Sequence, residues 1–83
     1  MSANDLLVVY TTVSSSKDAE TLARIAVEKR LAACVQIEAI LSLYRCNGEL
    51  QSEPEQRIQF KTTRDMYARL ESMLQEVHPY ELP

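Results

Sequence analysis

Glycine and aromatic residues are scarce in this 83-residue chain, which has one glycine, one phenylalanine, one histidine and no tryptophan. A single glycine excludes a glycine-rich phosphate-binding loop, and no G-x-S-x-G or H-E-x-x-H motif is present. Cys34 and His78 form a conceivable nucleophilic pair, but it lacks an evident orienting partner. The sequence therefore predicts a protein that is not an enzyme.

Excess positive charge and long apolar runs are also absent. Nine Lys and Arg against twelve Asp and Glu give a net charge of −3, which argues against nucleic acid because phosphate binding needs a basic face. No apolar run approaches the roughly 20 residues of a membrane span, and residues 1–5 do not resemble a signal peptide. The two cysteines are outside any CxxC motif, which favours reduced thiols. We expect a soluble, intracellular protein with no membrane partner.

A long β-hairpin from Val35 to Thr62 is the firmest local prediction. Its turn is Asn47-Gly48, a pair that favours a type I′ turn because both positions need positive φ. Both arms contain alternating apolar and polar residues, which predicts one buried face and one face that is wet or covered by a partner. Proline donates no ladder hydrogen bond, so Pro54 predicts a bulge or break in the second arm. We expect the distal half to project from the domain.

Two helices and a further strand surround this hairpin. The apolar run from Leu6 to Thr12 predicts an interior strand, covered on both faces or flanked on both edges. Ser14-Ser15-Ser16 offers N-cap hydroxyls for a helix that ends near Arg30. Its apolar stripe is Ala19, Leu22, Ala23, Ala26 and Val27.

The second helix is predicted to follow Thr62-x-x-Asp65, a start similar to a capping box. Its apolar stripe is Met66, Leu70, Met73, Leu74 and Val77, spaced as one helical face. The helix is expected to stop at His78, because Pro79 disfavours helical geometry in the preceding residue.

The resulting order, β-α-β-β-α, predicts an α+β fold. It matches five of the six elements of a ferredoxin-like β-α-β-β-α-β sandwich with an antiparallel sheet, the last strand being absent, and residues 1–83 are expected to form one such domain. A chain this short buries only about 60 to 65% of its unfolded surface. Without the last strand, Leu6 to Tyr10 would leave an apolar edge open. We expect either a fragment of a longer product or another chain that covers this edge.

Several blocks, taken together, resemble the signature of the CutA divalent-cation tolerance family. They are Leu31-Ala32-Ala33-Cys34-Val35, Ser42-Leu43-Tyr44-Arg45 with Asn47-Gly48-Glu49, Glu55, Phe60-Lys61-Thr62-Thr63 and His78-Pro79-Tyr80-Glu81-Leu82-Pro83. The resemblance implies a cytoplasmic homotrimer with a ferredoxin-like fold, whose hairpins contribute to sheets between subunits. It also implies a link to copper tolerance and copper binding, other divalent cations not being excluded. Family members continue past Pro83 with a further strand and helix.

The chain departs from the family pattern at two positions within these limits. Cys46 stands where the family usually has tryptophan, so an aromatic packing element of the hairpin is lost. Thr11 stands where some bacterial members have an additional cysteine, so a thiol proposed as a copper ligand in those members is absent.

The candidate metal ligands are Cys34 and His78. On its residue type alone, Cys34 is interpreted as a small buried apolar side chain rather than as a metal ligand, and the resemblance is what associates it with copper. His78 could instead cap helix carbonyls as a cation. Thiolate suits Cu(I) and imidazole suits copper or zinc, but the two ligands lack the compact spacing of a structural zinc site.

Other polar residues have a simpler interpretation beside a ligand-binding one. Cys46 is either a tolerated substitution or a surface copper ligand, and Glu49, Glu53 and Glu55 either form a solvated face or bind a hard cation. Tyr44, Tyr80 and Lys61 are interpreted as packing and hydrogen-bonding groups of a subunit cleft. The alternative function is a small-molecule sensor or protein-interaction module resembling the PII signalling proteins, with ligand sites in clefts between subunits.

Overall fold

The computed structural model describes residues 5–77. Its elements are β1 (Leu6–Val13), α1 (Ser16–Glu28), β2 (Cys34–Cys46), β3 (Glu49–Thr63) and α2 (Arg64–Val77). This order confirms the predicted α+β arrangement. His78 and Tyr80, both named above, lie outside the described residues. Within residues 5–77 neither helix has the length and apolar character needed to cross a membrane.

The β2–β3 hairpin turns at Asn47-Gly48, as predicted. Asn47 has φ of 53° and Gly48 has φ of 79°, the positive values that a type I′ turn requires at both central positions. The flanking residues Cys46 and Glu49 pair with each other, and the antiparallel pairing continues without a slip to Cys34 opposite Lys61. The turn thus sets the register of the whole hairpin.

The sheet has the strand order β1-β3-β2, and β3 pairs antiparallel with both neighbours. β1 pairs only with residues 56–63 of β3. Consequently, residues 40–46 and 49–55 pair with each other and with no third strand in the described part of the chain. The distal hairpin therefore projects, and the molecule measures 45 × 28 × 21 Å along its principal axes.

Two sequence-based expectations about the strands are wrong. β1 is not an interior strand within residues 5–77, because it pairs along one edge only and exposes Leu6, Val8 and Tyr10 on one face. Pro54 causes no bulge or break, since it pairs with Leu41 in the same register as its neighbours. Residues 49–55 of β3 have a neighbour on one side only, and an edge of this kind accommodates a residue that donates no N–H.

Helix α1 begins and ends with hydrogen bonds typical of helix caps. The Ser15 side chain accepts a hydrogen bond from the Asp18 amide at 3.1 Å, which confirms a serine N-cap. At the other end Arg30 has φ of 59°, and the Leu31 amide donates to the Ala26 carbonyl at 2.8 Å. This is a Schellman ending with arginine at the left-handed position where glycine is usual, and it turns the chain towards β2.

Both helices pack on one face of the sheet. The fully or nearly fully buried apolar residues are Val13, Ala19, Leu22, Ala26, Leu31, Ala32, Ile58, Phe60, Leu70, Met73 and Leu74. The predicted stripes are confirmed in their centres, whereas Val27 and Val77 remain 45% and 43% exposed. Because strand residues alternate between faces, burial of Ile58 and Phe60 places Arg57, Gln59 and Lys61 on the opposite, open face.

Thr62 does not cap α2, contrary to the expectation from Thr62-x-x-Asp65. Its hydroxyl donates to the Leu31 carbonyl at 2.6 Å, and the residue is 2% exposed. Next to it, the Ala33 amide donates to the Lys61 carbonyl at 2.8 Å. The α1–β2 loop is therefore fastened to the end of β3 just before β2 begins at Cys34.

We predict that Thr62→Val lowers the free energy of unfolding by about 1–3 kcal/mol, because it leaves the buried Leu31 carbonyl without its donor. Thr62→Ser keeps the hydroxyl and removes one methyl group, so its loss should be limited to about 0.8 kcal/mol. Urea denaturation at a single protein concentration measures both. A valine variant as stable as the wild type would show that this hydrogen bond contributes little.

Candidate functional site

Cys34 is the first residue of β2 and lies on the open face of the sheet. Its neighbour Val35 packs against the core, and alternation along the strand directs the Cys34 side chain the other way. Cys34 is exposed and lies opposite Lys61. In this chain the interpretation of Cys34 as a buried packing residue is therefore wrong, and its thiol is accessible to a ligand.

Cys46 lies at the other end of the same strand. Twelve residues of extended chain separate the two cysteines by about 40 Å at about 3.3 Å per residue. Both thiols are free and exposed. The two cysteines therefore cannot form a disulfide or share a metal ion within one chain, and Cys46 lies next to the Asn47-Gly48 turn at the tip of the hairpin.

The second predicted ligand, His78, immediately follows the last described residue of α2. α2 starts beside the Cys34 end of the sheet and extends for 14 residues, or about 20 Å, along the face opposite to Cys34. Leu74 and Gln75, near its end, line a shallow cleft with Tyr10 of β1. The pairing of Cys34 with His78 stays a prediction.

Within residues 5–77, no three His, Cys, Asp or Glu side chains are grouped in a way that could hold a metal ion. Cys34 can supply a single sulfur donor, which is the donor that Cu(I) favours. A site at Cys34 built from three or more such side chains would therefore require donors from outside residues 5–77.

The open face carries a polar network across all three strands. The Arg57 Nε donates to the Glu38 carboxylate at 2.9 Å, and the Arg57 guanidinium carbon lies 5.5 Å from the centroid of the Tyr10 ring. Gln59 donates to the Gln36 side-chain oxygen at 3.3 Å. Arg57 thus joins β2, β3 and β1 on one surface, by an ion pair and a cation–π contact.

On the projecting half of the hairpin, the same face carries two diagonal hydrogen bonds. The Tyr44 hydroxyl donates to the Glu53 carboxylate at 2.7 Å, and the Ser42 hydroxyl donates to Glu55. The hydrogen bond from Tyr44 to Glu53 is the main cause that raises the pKa of Tyr44 above its usual value of 10.0. Ionisation of Tyr44 would remove the donated proton and place two negative charges together. The interpretation of Glu53 and Glu55 as purely solvated residues is therefore incomplete.

Large apolar side chains are exposed on both faces of the hairpin and on β1. Leu41 and Leu43 are each 63% exposed and Leu50 is 72% exposed. They continue the face of the hairpin on which the helices pack, beyond the part that the helices cover. An apolar surface of this kind is typical of a protein–protein contact.

A cleft of about 420 Å³ lies where α1 ends and α2 begins. Its lining is mainly apolar and includes two basic residues, Arg30 and Lys61. Lys61 is also the cross-strand neighbour of Cys34, so this cleft lies at the strand end that carries the exposed thiol.

Comparison with known proteins places the chain in a family. Residues 7–83 match the family model described as CutA1 divalent ion tolerance protein. The chain belongs to this family. The divalent-cation tolerance protein CutA of Thermus thermophilus is 40% identical over 77 residues, which cover 92% of this chain and 75% of that protein. The mouse protein CutA is 38% identical over 88% of this chain, which spans only 42% of that relative's length.

Solved structures agree with the family assignment. CutA from Synechococcus elongatus PCC7942 superimposes with a TM-score of 0.90 at 46% identity, covering 99% of this chain and 72% of that one. A similar structure from Archaeoglobus fulgidus is named a periplasmic divalent cation tolerance protein CutA. The family assignment connects the chain with divalent-cation tolerance.

Sequence reasoning missed the Tyr44–Glu53 and Ser42–Glu55 contacts. A two-residue turn at Asn47-Gly48 places Tyr44 opposite Gln51 and Ser42 opposite Glu53, so both observed partners lie one diagonal step away on the same face. Counting residue pairs outwards from the Asn47-Gly48 turn would therefore have predicted both contacts from the sequence.

We predict that Glu53→Gln lowers the pKa of Tyr44, because the amide oxygen accepts the Tyr44 hydrogen bond more weakly than the carboxylate does and carries no negative charge to oppose ionisation. Absorbance titration of the tyrosines measures this, with Tyr44→Phe identifying the contribution of Tyr44. Since the folded-state pKa is raised, this hydrogen bond stabilises the hairpin below the unfolded pKa of about 10, and the stabilisation is lost as the pH rises through the folded pKa.

Glu49→Gln is the matched control for this titration. It removes the same charge on the same face, but Glu49 lies opposite Cys46 and does not bond Tyr44. An equal shift in the two glutamine variants would mean that general charge, and not the hydrogen bond, sets the Tyr44 pKa.

Proposed function

We propose that this protein is a cytoplasmic, non-enzymatic homotrimer that takes part in divalent-metal tolerance and binds copper through Cys34 and His78. We further propose that residues 1–83 act as one CutA-type domain. Family membership supports the link to divalent cations. The single observation that carries the rest is the projecting hairpin, which exposes apolar side chains and has no partner strand in the described part of the chain.

The trimer proposal is supported by the surfaces that a single subunit leaves uncovered. Leu41, Leu43 and Leu50 lie on one face of the projecting ribbon. A two-stranded ribbon is at best marginally stable in water, and three or more strands or a covering layer are needed. Hairpins that pair or pack with those of other subunits would remove these side chains from water and add the missing neighbours.

Leu6, Val8 and Tyr10 on the open face of β1 support the same proposal. They are 82%, 49% and 57% exposed, and they lie beside the Arg57 network rather than under a helix. A second subunit packed on this face would gain about 25 cal/mol for each Å² of apolar surface that it buries. It would also cover the ion pair between Arg57 and Glu38.

We predict that the protein sediments and scatters light as a trimer. Leu41→Ser combined with Leu43→Ser should shift the equilibrium towards monomer, because both side chains would lose their contacts in the assembly. Val27→Ser is the matched control, since Val27 is an exposed apolar residue on α1, away from the projecting half of the hairpin. A wild-type monomer at high concentration would overturn the trimer proposal.

The copper proposal rests on donor chemistry. Cys34 presents an exposed thiol at the start of β2, and imidazole nitrogen is a second donor that suits copper. Because the described residues supply no complete ligand set around Cys34, we place the site at a subunit boundary, where His78 of the same or a neighbouring subunit completes it. Bound copper would use the deprotonated thiol and the neutral imidazole.

We predict that Cys34→Ala and His78→Ala each weaken Cu(I) binding by at least about tenfold, or about 1.4 kcal/mol. Competition with a chromogenic Cu(I) chelator gives the affinities. Cys46→Ala is the control because it removes the other exposed thiol, about 40 Å away along the strand. Binding that persists unchanged in the Cys34, His78 double variant would dismiss both ligands.

A small-molecule sensor is the second candidate function, favoured by the 420 Å³ cleft. Its apolar lining with Arg30 and Lys61 suits a small anion that has an apolar part. A metabolite that raises the melting temperature when copper does not would favour this candidate, because a ligand stabilises the folded state to which it binds.

A further inference from the structure

The turn of the hairpin carries a reactive pair of residues that no function described above uses. Asn47 and Gly48 are both exposed, and they lie between the last cross-strand pair, Cys46 and Glu49. They therefore connect the strands without belonging to the ladder. We propose that Asn47 is a site of spontaneous deamidation, which converts it to aspartate and isoaspartate.

The backbone nitrogen of Gly48 is the nucleophile of this reaction. Gly48 has no Cβ, and apart from its own atoms and those of its two chain neighbours no heavy atom lies within 4 Å of the place where a Cβ would be. A side chain on this residue would shield its nitrogen from the Asn47 side chain, and here neither a side chain nor a neighbouring element does so. The exposed position also gives hydroxide and water access to both residues.

The chemistry needs only water and base. Hydroxide removes the Gly48 amide proton, and the nitrogen attacks Cγ of Asn47. An N–C bond forms, the bond between Cγ and the side-chain nitrogen breaks, and ammonia leaves with a proton from the solvent. Water then opens the cyclic imide at either carbonyl. One opening gives aspartate, and the other gives isoaspartate, in which the main chain runs through the side-chain carbon.

The surrounding structure controls access to the reactive geometry. The type I′ turn holds Asn47 at φ of 53° and, as the mirror image of type I, fixes its ψ at about +30°. Approach of the Gly48 nitrogen to Cγ depends on ψ and χ1 of Asn47, so the attack requires a local rotation of this backbone. Only β2 and β3 hold this end of the hairpin in the described part of the chain, and segments with few buried contacts open at low free-energy cost. Deamidation of the folded protein therefore occurs through local opening of the tip, without global unfolding.

The products act on the element that sets the hairpin register. Isoaspartate adds a methylene group to the main chain of a two-residue turn, and this turn determines every pair from Cys46–Glu49 to Cys34–Lys61. Both products also change the net charge from −3 to −4, since one neutral amide becomes a carboxylate. We expect isoaspartate to weaken the distal hairpin, including the Tyr44–Glu53 contact, more than aspartate does.

Incubation of the full chain at mildly alkaline and mildly acidic pH tests the proposal. Peptide mapping by mass spectrometry locates the amide-to-acid change, and an isoaspartate-specific methyl-transfer assay quantifies the rearranged product. Asn4 is an internal reference because it is followed by Asp5 and not by glycine. We expect product at Asn47 well above the level at Asn4, and more of it at alkaline pH.

Two comparisons decide the route. Gly48→Ala should reduce the amount of deamidated product at Asn47 to the level at Asn4. Asn47→Asp introduces the same charge with a normal main chain, so its hairpin stability can be compared with that of the isoaspartate product. A synthetic peptide of residues 43–52 gives the rate without the fold. The proposal is overturned if the peptide converts while the folded chain shows no more product at Asn47 than at Asn4, or if Gly48→Ala leaves the rate unchanged.

Discussion

The register between β2 and β3 is the constraint on which the rest of the structure depends. A two-residue turn with positive φ at Asn47 and Gly48 aligns thirteen consecutive pairs without a slip. A shift by one residue would move every side chain to the other face, exposing Phe60 and Ile58 and burying Arg57. The hydrophobic core and the Arg57 network are therefore two consequences of one alignment.

This alignment divides the hairpin into halves with different roles. The proximal half has β1 as a third strand and two helices on one face, so its apolar residues are buried within the subunit. The distal half has only its own two strands among residues 5–77, and its apolar side chains remain exposed. Its polar face is held together by Tyr44–Glu53 and Ser42–Glu55. The proximal half thus stabilises the domain, and the distal half provides the exposed apolar surface on which the proposed assembly rests.

The thiol chemistry follows from the same geometry. One strand carries Cys34 at its first position and Cys46 at its last, which separates the two thiols while leaving both exposed. Membership of the CutA1 family connects the protein with divalent cations, but one subunit offers a single sulfur donor at Cys34. Metal binding and assembly are therefore linked in this proposal, because contact between subunits would bring the remaining metal ligands to Cys34.

Local patterns were sufficient to determine the element order, the type I′ turn and the centres of both helical stripes, because these depend on backbone preferences and on periodicity within a few residues. They failed for Pro54, Thr62 and Cys34. Pro54 fits the ladder because no third strand pairs with that part of β3 among residues 5–77. The Thr62 hydroxyl donates to a carbonyl 31 residues away. Cys34 is exposed because it lies on the open face of the sheet. Each outcome depends on which distant segment is adjacent in space, and only the tertiary structure decides that.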